Sequence, residues 1–413
     1  MKIEQIYTGC LAEAAYYIES NGEAAIIDPL REVLPYIEKA QKDNAMIKYV
    51  FETHFHADFV SGHIDLAQKT GATIVYGPNA ATNFSAHIAK DNEVFQIGNI
   101  KIKVLHTPGH TMESSCFLLI DEDGKDYCIF TGDTLFIGDV GRPDLAIKSN
   151  VTKEDLAGYL YDSLHNKILP LADDVIIYPG HGAGSACGKN MSKETVSTIG
   201  KQRLFNYALQ AKTKEQFIEE VTFGLTPPPQ YFPKNALMNK LGYDSIDSIY
   251  EKGLQALEPL AFEQKANELS ALVLDTRHEN DFIKAHIPNS IFIGLHGNFA
   301  PWVGELIADI KQPILLICDE GKEQDAITRL ARVGYDNTIG YLKGGFEAWQ
   351  NAGKETDSVD NITALQLEKI SQVEQPEIID VRKASEFDVA HIHHAQNKPL
   401  SYINEWFHLL SKD

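Results

Sequence analysis

Within the segment Thr53-His54-Phe55-His56-Ala57-Asp58-Phe59-Val60-Ser61-Gly62-His63, His54, His56 and Asp58 set two imidazoles and a carboxylate at alternate positions. The segment follows an apolar run, Ile47-Lys48-Tyr49-Val50-Phe51, and so has the form of a loop leaving a strand end. Imidazole combined with carboxylate suits a divalent transition metal such as zinc or iron, whereas calcium and magnesium want mostly oxygen ligands. One loop does not complete such a site. Further ligands are therefore expected elsewhere in the chain.

Three later positions qualify: His110 in Thr107-Pro108-Gly109-His110, Asp133 in Thr131-Gly132-Asp133-Thr134, and His181 in Pro179-Gly180-His181-Gly182. Each follows an apolar run and sits beside glycine, which permits sharp turns and close approach of backbone to a ligand. The chain holds 15 histidines, so one of them alone would carry little. Four ordered motifs, each at a strand end, are not scatter.

In this order the motifs resemble the metallo-β-lactamase superfamily, over roughly residues 1 to 250. Its hydrolytic members follow the aspartate with a histidine for a second metal, and here that position is Phe59, whose ring cannot coordinate a cation. The one-metal family the chain then resembles is the persulfide dioxygenases. That resemblance implies one iron(II) per chain on His54, His110 and Asp133, with zinc as the alternative metal. It makes His56, Asp58 and His181 groups that orient the ligands or hold metal-bound water. Two imidazoles and one carboxylate leave open positions on iron for a sulfur substrate and dioxygen, and zinc has no redox chemistry to offer.

Two residues are candidates for the substrate side. Arg142, in Gly138-Asp139-Val140-Gly141-Arg142-Pro143-Asp144, resembles the superfamily arginine that meets a substrate carboxylate, and it could equally pair with Asp139 or Asp144. Cys187, six residues after His181 in a small-residue loop followed by Lys189, reads either as an activated thiol that carries sulfur or as a buried inert cysteine.

From about residue 265 the pattern changes. Leu274-Asp275-Thr276-Arg277, Ala285-His286-Ile287-Pro288-Asn289-Ser290 and Gly344-Gly345-Phe346-Glu347-Ala348-Trp349 resemble a rhodanese domain. The cysteine that would carry sulfane sulfur is Cys318, after Ile314-Leu315-Leu316-Ile317. Its loop, Asp319-Glu320-Gly321-Lys322-Glu323, holds three acidic residues and lacks the arginine usual in the family five places after the cysteine. Negative neighbours raise a thiol pKa, so an impaired or structural domain stands against a working sulfurtransferase.

Ile379-Asp380-Val381-Arg382, Phe387 and Ala390-His391-Ile392 then repeat the first rhodanese motifs at a constant offset of 105 residues. The matching cysteine would fall beyond residue 413, so the second copy is expected to be partial, the chain being a piece of a longer protein or a cleaved product. If not, the tail is a degenerate repeat that packs on its neighbours.

The formal charge of −21 disfavours nucleic acid and anionic membranes as partners. Five cysteines without a C-x-x-C pair fit a reducing compartment. No apolar run approaches the ~18 residues of a membrane span, and no signal segment opens the chain, so a soluble, cytoplasmic protein is expected. Thr226 to Pro233, rich in proline with Tyr231 and Phe232, reads as a strap on the first domain, preceded by helices over Lys193 to Glu220.

The expected fold is α/β: an αββα sandwich over residues 1–255, a rhodanese-like domain over 256–357 and a partial second one over 358–413. The expected function is iron-dependent oxidation of a low-molecular-weight thiol persulfide to sulfite with O2, with rhodanese-type sulfur transfer giving thiosulfate. The rivals are a zinc-dependent, glyoxalase II-like thioester hydrolase and, for the rhodanese parts, a non-catalytic docking role. A homo-oligomer is expected.

Overall fold

The computed structural model describes residues 1–146 and 151–410; residues 411–413, the end of the expected partial repeat, lie outside it. The chain divides into two compact units, Met1–Ser248 with Ala331–Gly334, and Ile249–Leu330 with Tyr335–Asp413.

The first unit is built on two six-stranded sheets. One holds β1 (Lys2–Thr8), β2 (Glu13–Ser20), β3 (Glu23–Ile27), β4 (Met46–Glu52), β5 (Thr73–Tyr76) and β6 (His87–Ile88), in that order. The other holds β7 (Val94–Ile97), β8 (Ile100–His106), β9 (Ser115–Ile120), β10 (Asp126–Gly132), β11 (Ile176–Pro179) and β12 (Ser197–Thr198), likewise in sequence order.

Period-two alternation decides what each strand faces. Along β2, Tyr16 and Ile18 join a core shared with Ile102, Phe117 and Phe130 of the second sheet. Ala15 and Tyr17, pointing the other way, pack with Val33, Tyr36 and Ala40 around helix α1 (Leu34–Lys42). On the outer face of the second sheet, Leu118 and Ile129 pack with Ala157 and Leu160 of a helix at Lys153–Ser163. Two sheets face to face with helices outside make an αββα sandwich, as the motif order implies.

The segment expected to be helical over Lys193 to Glu220 opens instead on β12, which pairs with β11 and covers its edge before helices at Ile199–Phe205 and Lys214–Thr222. The proline-rich segment is an ordered strap: Tyr231 and Phe232 are buried, and Phe232 opens a helix to Leu241 with proline in its first turn.

In the second unit, β13 (Ala256–Leu257), β14 (Leu272–Asp275), β15 (Ile291–Phe292), β16 (Ile314–Ile317) and β17 (Thr338–Leu342) form a wholly parallel sheet in the order β13-β17-β16-β14-β15. The central β16 is buried throughout, as a strand covered on both faces must be. The repeat is equally real in three dimensions. Arg277 clasps Asp275 and donates to Ala285 O at 3.0 Å, and Arg382 does the same with Asp380 and Ala390 O at 2.9 Å. Beside the second clasp, β18 (Ile379–Asp380) pairs in parallel with β19 (Gln396–Asn397), as β14 does with β15.

Candidate metal centre

Parallel pairing puts strand ends side by side, and this assembles the site. β10 runs parallel to β11 with Gly132 opposite Pro179, so Asp133 and His181 leave the sheet together. β3 runs parallel to β4 with Ile27 opposite Phe51, which sets Asp28 beside the start of the His54 loop. Gly132 takes φ +47°, and a Cβ on it would lie 2.6 Å from the Thr53 side chain; only glycine allows this approach. Gly141 is constrained in the same way, since its Cβ would come 1.8 Å from Asp133 O.

His54, His110 and Asp133 come together, all buried, with donor atoms within 4.8 Å of one another. Each imidazole has one nitrogen already engaged. His54 Nδ1 is 2.9 Å from Thr53 Oγ1, and His110 Nδ1 is 2.9 Å from the Arg142 carbonyl, which makes Nδ1 of His110 the donor. Their Nε2 atoms are turned to Asp133 Oδ2, at 3.9 and 3.5 Å. That oxygen has no hydrogen-bond partner among the described residues. Ligands bound at ~2.0–2.2 Å to one ion stand about this far apart, so the donor set fits a single divalent transition metal.

The other oxygen, Asp133 Oδ1, lies 2.8 Å from His181 Nδ1, and His181 Nε2 lies 2.7 Å from Asp58 Oδ2. Burial opposes the charge on His181, but Asp133 and Asp58 on either side outweigh it and hold the imidazole well above its ordinary pKa. Burial likewise opposes ionisation of Asp133, and His181, His54 and His110 more than offset it, holding the carboxyl well below the usual range. For His54, burial and the neighbouring His56 favour the neutral form that a metal requires.

His56 faces elsewhere. Its Nε2 is 3.1 Å from Asp28 Oδ1, and its ring packs on Phe59 with centroids 4.3 Å apart. Phe59 is fully buried, filling the position next to Asp58 with hydrocarbon.

Of the two readings of Arg142, the structure shows the ion pair. Nε and Nη2 each donate to Asp144 at 2.7 Å, Nη1 donates to Ala186 O at 3.2 Å, and Nη2 also reaches Thr226 O on the strap. Asp139 is not the partner; it accepts the backbone N–H groups of Lys189 and Asn190. Arg142 N donates to Cys187 O at 3.0 Å, so this arginine fixes the cysteine loop. Cys187 lies beside Asp58 and His181 in a second group of potential ligands. Burial, then the charges of Asp58 and Asp133, push its thiol well up, while Lys189 donates to Glu220 O and Phe223 O.

In the second unit Cys318 is buried and accepts a hydrogen bond from Thr276 Oγ1 at 3.3 Å. Burial, with Glu323, Asp275 and Asp319 adding to it, pushes its thiol up to about 12.

Two supporting residues were not singled out from the sequence. Asp28 accepts the Thr53 N–H at 2.7 Å and the Thr53 hydroxyl at 2.8 Å, and so braces the His54 ring through Thr53. Glu13, buried with neither carboxylate oxygen hydrogen-bonded among the described residues, starts β2 in a bridge with His181. Asp28 follows the apolar run Ala24–Ile27 much as Asp133 follows β10, a signal that was available. Glu13 carries no such signal, because only the fold sets it beside His181.

All five cysteines are free, and among the described residues no helix is long and apolar enough to cross a membrane.

Comparison with known proteins gives the site a family. The model of the metallo-beta-lactamase superfamily matches residues 8–181, and that of the rhodanese-like domain matches residues 258–352. A probable hydroxyacylglutathione hydrolase of Schizosaccharomyces pombe is 32% identical over 181 residues, 43% of this chain; the chain spans 66% of that relative's length. The mitochondrial persulfide dioxygenase ETHE1 of Homo sapiens is 30% identical over 210 residues, covering 50% of this chain and 74% of the relative. A crystal structure of a metallo-beta-lactamase from Staphylococcus aureus is 33% identical with a TM-score of 0.73, covering 83% of this chain and 99% of that one. The chain belongs to the metallo-β-lactamase superfamily and carries a rhodanese-like domain behind that fold.

Proposed function

We propose that the protein is a one-iron persulfide dioxygenase that oxidises the terminal sulfur of a low-molecular-weight thiol persulfide. In balance, RSSH, O2 and H2O give RSH, sulfite and protons; the terminal sulfur is oxidised and dioxygen is reduced. The observation that carries this reading is Phe59, a buried hydrocarbon ring where a dinuclear hydrolase needs a ligand.

Iron(II), when held by two imidazoles and a carboxylate, supplies redox chemistry with dioxygen and open positions for a soft sulfur ligand. His54 and His110 present Nε2 because Thr53 and the Arg142 carbonyl occupy their Nδ1 atoms. His181 orients Asp133 and is itself held by Asp58, so Asp58 and His181 act through the ligands. Arg142 acts as a positioning residue, since its guanidinium already serves Asp144, Ala186 and Thr226. Cys187 borders the site as the candidate thiol on the substrate side.

Hydroxyacylglutathione hydrolases and a persulfide dioxygenase both stand among the relatives, so zinc-dependent thioester hydrolysis is the competing chemistry. For the rhodanese-like domain, the buried Cys318 thiol favours docking over sulfur transfer, leaving thiosulfate formation to a different sulfur carrier. Metal content of the anaerobically purified protein, measured with oxygen uptake on adding a thiol persulfide, tests the reading. One iron per chain and uptake abolished by Asp133→Ala support it; two zincs, no uptake and thioester cleavage overturn it.

A further inference from the structure

A third set of potential ligands lies at the ends of β3 and β4, and it shares no residue with the other two. Asp28, Glu52 and His56 have donor atoms within 4.8 Å of one another, and their exposures are 1%, 0% and 1%. His56 Nε2 stands 3.1 Å from Asp28 Oδ1 and 3.7 Å from Glu52 Oε2. The protein satisfies the outer side of this group. Thr53 donates to both Asp28 oxygens at 2.7 and 2.8 Å, and the Ser61 hydroxyl donates to Glu52 Oε1 at 2.6 Å. Its inner side is left open: Glu52 Oε2 and His56 Nε2 have no hydrogen-bond partner among the described residues, the 3.1 Å approach of Nε2 to Asp28 being an ion-pair contact outside hydrogen-bond geometry.

Buried polar atoms ordinarily find partners, and two buried carboxylates ordinarily find compensating charge. A divalent cation would supply both a partner for the open atoms and positive charge between the two carboxylates. Donors bound at ~2.0–2.2 Å to one ion, with angles between about 90° and 120°, stand apart by the separations seen here. His63, fully buried, has no hydrogen-bond partner for either ring nitrogen among the described residues and places Nδ1 3.7 Å from Glu52 Oε1. It therefore flanks the outer oxygen of Glu52 and is not counted among the donors.

We propose that Asp28, Glu52 and His56 form a second, structural divalent-cation site of the zinc class, distinct from the His54–His110–Asp133 centre. A closed site with nitrogen and oxygen ligands suits a redox-silent ion. Held there, the ion ties the end of β3 to the His54 loop and keeps the His56 ring in place. This site does not depend on which reaction the first centre performs.

The test uses the full chain, loaded anaerobically with iron(II), equilibrated with zinc chloride and dialysed. The expected result is one zinc per chain beside the iron, with zinc content falling roughly tenfold or more in Glu52→Gln while iron is retained. Asp58→Asn and Cys187→Ser are expected to keep the zinc. Zinc-edge X-ray absorption of the unsubstituted protein gives a reading that needs no variant to fold, and an all nitrogen and oxygen shell is expected. Absence of any zinc beyond the ion that Asp133→Ala removes would overturn the proposal, and would leave Asp28, Glu52 and His56 sharing a proton. A sulfur neighbour at about 2.3 Å, or zinc lost in Cys187→Ser, would also overturn it, by placing the ion on the Asp58–His181–Cys187 group.

Discussion

His181 Nδ1 lies 2.8 Å from Asp133 Oδ1, while Oδ2 of the same carboxylate has no hydrogen bond among the described residues and faces Nε2 of both His54 and His110. One carboxylate thus has an anchored oxygen and a free one. The division of labour fixes the direction in which Asp133 offers its lone pairs, and removing the anchor lets the carboxylate rotate. His181→Ala is expected to weaken iron binding by roughly 10- to 100-fold, the usual effect of losing a group that orients a ligand. Iron titration under anaerobic conditions measures this, and unchanged affinity would remove His181 from its assigned role.

Phe59 sets the metal count in the proposed reading. Its ring is buried against His56, so Phe59→His places an imidazole next to Asp58 with little change in volume. The variant is expected to take up an additional ion when offered zinc and to lose oxygen uptake. A variant with the parent's metal content would show that something other than Phe59 limits the site to one ion.

Arg142 joins the strap, the Cys187 loop and the loop that carries its own ion-pair partner, Asp144. Because both partners are largely buried, with side-chain exposures of 4% and 13%, loss of one leaves the other uncompensated. Arg142→Ala is expected to lower stability by about 3 kcal/mol, read by denaturant or thermal unfolding. Arg142→Lys is expected to recover only part of this, since an ammonium cannot donate in the fork geometry. Full stability in Arg142→Ala would remove it as a positioning residue.

Cys318 has a thiol pushed up to about 12, chiefly by burial. A raised thiol pKa keeps the group neutral below it, so the reactive thiolate grows only as pH rises towards that value. At pH 8 it holds roughly two thousandfold less thiolate than an ordinary cysteine of pKa ~8.5. Alkylation of Cys318 followed by peptide mass spectrometry is expected to be slow at pH 8 and to climb with pH, and Cys318→Ser is expected to leave persulfide turnover unchanged. Rapid labelling at pH 8 would restore Cys318 as a sulfur carrier.

The sequence by itself determined the kinds of ligand and the order of the strands that deliver them. His54, Asp58, His110, Asp133 and His181 each follow an apolar run, and a run that must be buried dictates where its polar end emerges. It also carried the rhodanese-like domain and its repeat, because Asp275 with Arg277 and Asp380 with Arg382 form local clasps that need no distant partner. What only the tertiary structure decided is which oxygen and which nitrogen each side chain offers. Asp133 is divided between His181 and the two ligand histidines because β10 and β11 run parallel and end together. Arg142 had two open partners in sequence, Asp139 and Asp144, and long-range hydrogen bonds to Ala186 and Thr226 chose its geometry. Asp28 and Glu13 stand well before the His54 loop in sequence and enter the neighbourhood only through sheet pairing. Periodicity encodes burial residue by residue, whereas the aim of a side chain depends on partners that the chain brings together only when it folds.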